Sequence, residues 1–314
     1  KKGNGVSIKI GDLLDLLTND FKGAKDIDGK GIVYKGTNGK EKHIVISFKK
    51  VNNGFYLTFM TPDNEKIYTL PFSFYIVLPE SYEKVNNSNT IMNTGENIGG
   101  IYRIDKGCME VRNNTTGEYY ISQYNKDFED ILLLDYDTKQ SIRFLASKGF
   151  IDGKSKDSFN PDDNMTRAEF VNLMVKALSV EGNNSKSNFP DVNKSDWFYN
   201  AVIASAENNL VKGYEDGKFK PNNTITKEQA IAVCARQIAN KMNYSVNDKD
   251  IDSILAVYKD NNSIPEWCKK EVAIARDSRL VDIPANGAFS GKEPLTRAEG
   301  SKLIYELYNL LIRQ

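Results

Sequence analysis

Two arginines stand where a helix does not ask for them. In "NMTRAEFVNLMVKAL", residues 164–178, Thr166 and Glu169 have the spacing of a capping box. Apolar positions at Phe170, Leu173, Met174, Ala177 and Leu178 then set a helical period. Arg167 takes the first helical position, where the positive end of the macrodipole disfavours a cation by about 0.3–1 kcal/mol. "TRAE" returns at 296–299 with Arg297, and a variant "TKEQ" at 226–229 with Lys227. A guanidinium beside helix N–H groups can converge on a carboxylate, in bidentate fashion where geometry allows. The alternative partner is a protein carboxylate, with Asp130, Asp191 and Asp260 at matching positions. The residues alone leave both open. If the anion comes from outside, Thr166 and Glu169 still cap the helix, and Arg167 is dispensable for folding. Lys227 keeps the charge without the fork and should hold an anion more weakly.

Other residues recur around these cations. Trp197 and Trp267 suit stacking on a sugar face, or equally a place in the core. Gly153 and Gly213 are expected to supply positive φ in a loop and to open a groove. Asp130, Asp191 and Asp260 read as caps for the first helix of each repeat. Phe159, Phe219 and Phe289, each seven residues before its Thr, read as plugs under the loop.

Composition excludes several classes. Lys plus Arg and Asp plus Glu balance at 42 each across 314 residues, so no global field draws the chain to nucleic acid or an anionic membrane. Three scattered cysteines and one histidine argue against a zinc or Cys–His centre. "DKDID" at 248–252 lacks the glycine and terminal acid of an EF-hand loop. Neither GxSxG nor HExxH occurs. The expectation is therefore a binding protein rather than an enzyme, with no metal or cofactor; a hydrolase is the competing enzyme class. No apolar run reaches membrane-spanning length. The opening "KKGNGVSIKI" reads as the start of a fragment.

The period of the pattern changes along the chain. Up to about residue 125 it is mostly two, in "HIVISFKKV", "GFYLTFMT", "KIYTLPFSFYIVLP", "GGIYRIDKGCMEV" and "TGEYYISQY". That predicts an antiparallel, sandwich-like β domain over 1–125, with a short helix at "GDLLDLLTNDF" and a loop over 84–100. Beyond it the period becomes 3.6, and a helix–loop–helix unit repeats three times, over 126–182, 183–245 and 246–314. One such unit cannot bury its apolar face alone; three around an axis can. The predicted class is α+β, a β domain followed by an all-α triplet.

The repeated residues resemble S-layer homology modules, whose pattern runs from an aromatic-x-Asp entry through Gly-Tyr-x-Asp-Gly-x-Phe-x-Pro to Thr-Arg-Ala-Glu. "GYEDGKFKPN" at 213–222 and the two "TRAE" tetrads carry the likeness over about 128–312. The resemblance implies a pseudo-threefold, three-pronged spindle. It also implies binding of secondary cell-wall polysaccharide of Gram-positive type, with pyruvylated N-acetylmannosamine, in grooves between repeats. Arg167, Arg297, Lys227, Trp197, Trp267, Gly153, Gly213, Asp130, Asp191 and Asp260 would line those grooves. The implied role is anchoring of an exported protein to the wall, extracellularly. Surface-layer subunits are the implied second partner, and a lattice component or the anchor of a larger surface enzyme the alternative roles. Lys227, Gln229, Ile283 and Gly291 depart from the pattern, so the three grooves should not be equivalent.

Overall fold

The computed structural model describes residues 25–26, 32–35, 41–51, 54–61, 63–79, 89–103, 107–182 and 189–312. It is mixed α and β, and divides into two compact units. The helix expected at "GDLLDLLTNDF" lies outside the described residues.

The first unit comprises Lys1–Lys126 with Ser147–Gly149. Its strands are β1 (Lys25–Asp26), β2 (Ile32–Lys35), β3 (Glu41–Val51), β4 (Gly54–Met60), β5 (Lys66–Ile67) and β6 (Thr69–Pro79). They are followed by β7 (Asn89–Asn93), β8 (Glu96–Asn97), β9 (Ile101–Arg103), β10 (Cys108–Thr115) and β11 (Gly117–Gln123). One antiparallel sheet runs β1-β2-β3-β4-β11-β7-β8, with β5 on β4; a second runs β6-β10-β9. Alternate residues of β4 (Phe55, Leu57, Phe59) meet Ile76 and Leu78 of β6, Ile91 of β7, Met109 of β10 and Tyr119 of β11 in a shared core. The chain crosses from one sheet to the other at Gly117, whose φ is 143° and where a Cβ would meet the Asn93 side chain at 2.1 Å.

The Asn-rich stretch expected as a loop is, over its described part, the β7–β8 hairpin. Its turn is Thr94–Gly95, with φ of 50° and 88°, the left-handed pair that hairpin twist favours. The stretch hides its strand character because all five residues of β7 are buried, the polar Asn89, Thr90 and Asn93 together with Ile91 and Met92, so no apolar–polar alternation marks it. Their groups are satisfied locally: Thr90 donates to the Gly99 carbonyl at 2.7 Å and Asn93 to Thr115 Oγ1 at 2.6 Å.

The second unit spans Asp127–Ala146 and Phe150–Gln314. Its helices are α1 (Tyr136–Ser147), α2 (Arg167–Leu178), α3 (Tyr199–Glu207), α4 (Lys227–Met242), α5 (Ile251–Leu255), α6 (Lys269–Asp277) and α7 (Arg297–Ile312). The short α5, five residues long, lies in the stretch that makes the third repeat ten residues longer, which the repeat pattern did not assign. Just before α2, α4 and α7 lie Met165, Ile225 and Leu295, all buried. Met165 N–H donates to the Leu295 carbonyl, Leu295 to Ile225, and Ile225 to Met165, at 2.9, 2.9 and 3.0 Å. Three segments 60 and 70 residues apart thus close a ring of backbone hydrogen bonds around three apolar side chains.

Truncating that centre should be costly. Ile225→Ala is expected to lower stability by roughly 2–5 kcal/mol through cavity formation. A thermal melt of the variant should show a drop of several degrees, whereas a surface truncation such as Met242→Ala should show almost none.

Candidate functional site

Each loop that precedes a ring segment is gripped through one phenylalanine. Asp191 accepts from the N–H groups of Phe219 and Lys220 at 2.9 and 2.7 Å. Asp130 does the same for Phe159 and Asn160, and Asp260 for Phe289 and Ser290. Asn160, Lys220 and Ser290 have φ of 56°, 59° and 52°, a conformation that costs such residues about 1 kcal/mol or more and that the carboxylates repay with charge-assisted bonds. These aspartates therefore pin loops; none of them caps α1, α3 or α6. Burial pushes the carboxyls of Asp130 and Asp260 up, but the donated N–H bonds outweigh it and hold both below the ordinary value.

The carbonyl side of the same phenylalanines is held by the arginines. Arg167 is 7 % exposed and donates from Nε to the Phe219 carbonyl (2.9 Å), from Nη2 to that of Lys212 (3.3 Å) and from Nη1 to Gln229 Oε1 (3.3 Å). Its guanidinium lies 4.8 Å from the ring centres of both Tyr214 and Phe219. Arg297, 3 % exposed, donates to the carbonyls of Phe159 (3.0 Å) and Asp152 (2.8 Å). Neither arginine is hydrogen-bonded to Asp130, Asp191 or Asp260. The backbone N–H groups beside them are also taken: those of Arg167 and Ala168 donate to the carbonyls of Asn223 and Pro221. An external anion therefore does not find free N–H groups at the start of α2. The expectation that Arg167 is dispensable for folding is likewise corrected, because its removal would strand buried carbonyls of the neighbouring loop.

The three cations differ in what neutralises them. Lys227 bridges Glu293 and Glu299 at 2.9 and 3.0 Å. Beside Arg297 stands Glu169, itself bridged to Lys154 at 2.8 Å, with Asp163, Asp130 and Asp152 also near in charge. At the corresponding place beside Arg167 stands Gln229, which is neutral and hands its other amide end to the Tyr214 hydroxyl. Gln229 thus leaves the second arm of the capping box; Thr226 still accepts from Gln229 N–H, while α2 and α7 keep both arms. Burial disfavours the charge of Arg167, and Asp191 supports it from a distance.

A cleft of about 700 Å³ opens on Arg167. Gly213 and Trp267 also line it, so three of the expected residues meet, joined by Tyr214, Lys220, Glu228 and Arg236. Lys227 lines a smaller cleft of about 260 Å³ together with Glu293 and Glu299. Trp197 and Trp267 are 64 % and 49 % exposed, which removes the core reading for both. Gly153 and Gly213 are not at positive φ. Glycine is required there because a Cβ would come within 2.4 Å of the Phe128 ring and 2.9 Å of the Phe189 ring. Positive φ instead falls on Gly217 and Gly287 further along the loops. Gln229 and Lys227 are departures from the repeat that point to this place; Glu228, which stands where the other repeats have Ala168 and Ala298, is a third, and Arg236 carries no such flag.

A family model of the S-layer homology domain matches residues 136–171 and 188–231. The chain carries an S-layer homology domain. The two matched segments contain Gly153, Arg167, Asp191, Trp197, Gly213 and Lys227. An amylopullulanase of Thermoanaerobacterium thermosulfurigenes is 30 % identical over 220 residues, 70 % of this chain and 11 % of its own length. The surface-layer 125 kDa protein of Lysinibacillus sphaericus is 27 % identical over 155 residues, 49 % of the chain and 12 % of its own. The middle cell wall protein of Brevibacillus brevis is 30 % identical over 109 residues, 33 % of the chain and 10 % of its own. The chain thus spans about a tenth of the length of these relatives. The S-layer homology domain and the surface relatives make it an extracellular, cell-wall-associated protein. No helix among the described residues is long and apolar enough to cross a membrane.

Two outcomes follow from the clamp. Arg167→Ala should destabilise the helical unit by ~2 kcal/mol or more, since buried carbonyls lose their partners; thermal or urea denaturation measures it directly. The depressed carboxyls set the pH dependence. A carboxylate whose folded pKa lies below its unfolded value contributes stability above the unfolded value, about 4, and that contribution fades as pH falls through the folded one. The melting temperature should therefore hold steady from neutral pH to about 5 and fall on further acidification. Asp130→Asn with Asp260→Asn should melt lower at neutral pH and show a shallower acid slope.

Proposed function

We propose that this chain anchors an exported protein to the cell wall by binding secondary cell-wall polysaccharide in the Arg167 cleft. Residues 246–314 act in this reading as a third S-layer homology module, completing a pseudo-threefold spindle, with the residues before 126 a separate β domain. The observation that carries the proposal is the difference in neutralisation. Lys227 is bonded to carboxylates of the chain and Arg297 has Glu169 beside it, whereas Arg167 has neutral Gln229 and opens on the cleft of about 700 Å³.

The chemistry suits an acidic saccharide. Its three bonds leave N–H donors of the Arg167 fork over, and these meet a carboxylate such as that of a pyruvate ketal. Trp267, half exposed at the cleft, offers its face to the apolar side of a pyranose. Pyruvylated N-acetylmannosamine has both features. No catalytic role is assigned to the chain: it holds the glycan and turns nothing over. The likeness to an amylopullulanase favours use as the anchor of a surface enzyme, and the surface-layer relative favours contacts with other surface-layer subunits as a second role.

Isothermal titration of the chain with a pyruvylated N-acetylmannosamine disaccharide tests the reading. One site per chain is expected. Lys227→Ala should leave affinity unchanged, because that lysine is already paired within the protein. Two or three equivalent sites, or no binding by a folded chain, would overturn the assignment.

A further inference from the structure

Two departures from the repeat meet at one point. Where α2 and α7 have Ala168 and Ala298 at their second position, α4 has Glu228. Where the loops of the first two repeats have Pro161 and Pro221, the third has Gly291. In each case these paired positions face each other: the N–H groups of Ala168, Ala298 and Glu228 donate to the carbonyls of Pro221, Pro161 and Gly291 at 3.0, 2.9 and 2.9 Å. A Cβ at residue 291 would stand 3.0 Å from Glu228 Oε2 and 2.5 Å from the Phe289 ring. Gly291 thus makes the room that the Glu228 side chain occupies.

What Glu228 does with that room is not explained by the fold. It is 8 % exposed, and its carboxyl accepts no hydrogen bond among the described residues. Lys292 is the opposite charge that acts on it, at a distance. Burial pushes its pKa up. A carboxylate partly withdrawn from water, with no protein donor and its oxygens turned to the cleft, carries a desolvation cost that Ala, the residue of the other two repeats, would not incur. Yet Glu228 lines the Arg167 cleft together with Gln229, Arg236 and Trp267. Arg236 is already held by Glu271 at 2.9 Å and does not serve it.

We propose that Glu228 is a specificity-determining residue of this cleft, accepting a hydrogen bond from a neutral donor of the bound saccharide, an amide N–H or a hydroxyl. The cleft then reads a sugar at two points: Arg167 takes its carboxylate and Glu228 a donor elsewhere on the ring. A ligand that covers the Glu228 oxygens without offering them a donor strips their water and leaves them unpaired, so analogues lacking the donor are rejected. The inference rests on the reading of the Arg167 cleft as a saccharide site.

The test titrates the intact chain, Glu228→Ala and Glu228→Gln with the pyruvylated N-acetylmannosamine disaccharide, and melts the same samples. Glu228→Ala should bind roughly tenfold more weakly, while its melting temperature stays level or rises. Glu228→Gln, which retains an acceptor oxygen, should recover part of the loss. Weaker binding with unchanged or higher stability separates recognition from a structural role, which predicts a lower melting temperature. Tight binding by wild type with Glu228→Ala equal to it overturns this inference alone. Absence of binding by the folded wild-type chain overturns it together with the reading of the cleft.

Discussion

The helical unit depends on how it answers the unsatisfied N–H groups at three helix starts. An isolated α-helix leaves its first N–H groups without intrahelical partners. Here Arg167, Lys227 and Arg297 donate theirs to the carbonyls of Asn223, Glu293 and Asp163, each on the loop of another repeat. The following residue does the same to positions 221, 291 and 161. Capping, loop placement and assembly of the repeats are therefore one event. The loops fit because an aspartate holds the N–H side of each key phenylalanine and, in two of three cases, an arginine holds its carbonyl side.

Much of this was legible in the sequence. The 3.6 period, the Thr-x-x-Glu boxes and the phenylalanines gave α2, α4 and α7 and the residues beneath their loops, because local chemistry alone determines them. The roles of Asp130, Asp191 and Asp260 were not legible. Each acts on a loop 28 to 30 residues away, beyond what local capping rules describe. The bonds of Arg167 to loop carbonyls were not legible for a related reason: those carbonyls lie 45 and 52 residues downstream and bear no side-chain signature. The exposure of Trp197 and Trp267 decided a choice that residue type left open. In the β unit, β7 was concealed because it is buried throughout and three of its five residues are polar, so it shows no alternation of apolar and polar positions.

Small substitutions then divide three similar positions into different electrostatic settings. Exchanging Glu for Gln at 229 removes the carboxylate that Arg297 has in Glu169 and that Lys227 has in Glu299. Exchanging Arg for Lys at 227 gives up the planar fork, and the shorter-ranged ammonium turns to Glu293 and Glu299 rather than to a loop carbonyl. The scaffold survives at position 227 because the backbone bonds of Lys227 and Glu228 to residues 293 and 291 are kept there although the arginine clamp is not.

The closed ring through Met165, Ile225 and Leu295 also has a bearing on the order of assembly. A linear repeat array can propagate from either end and needs a polar cap at each terminus. A ring has no termini to cap, but it cannot shut until its last member is present. The bond from Met165 to Leu295 spans 130 residues, so its formation carries the largest loop-closure entropy of the three. During synthesis the first two repeats would stand as an open arc, with the buried face of Met165 waiting, until the segment that opens α7 has left the ribosome.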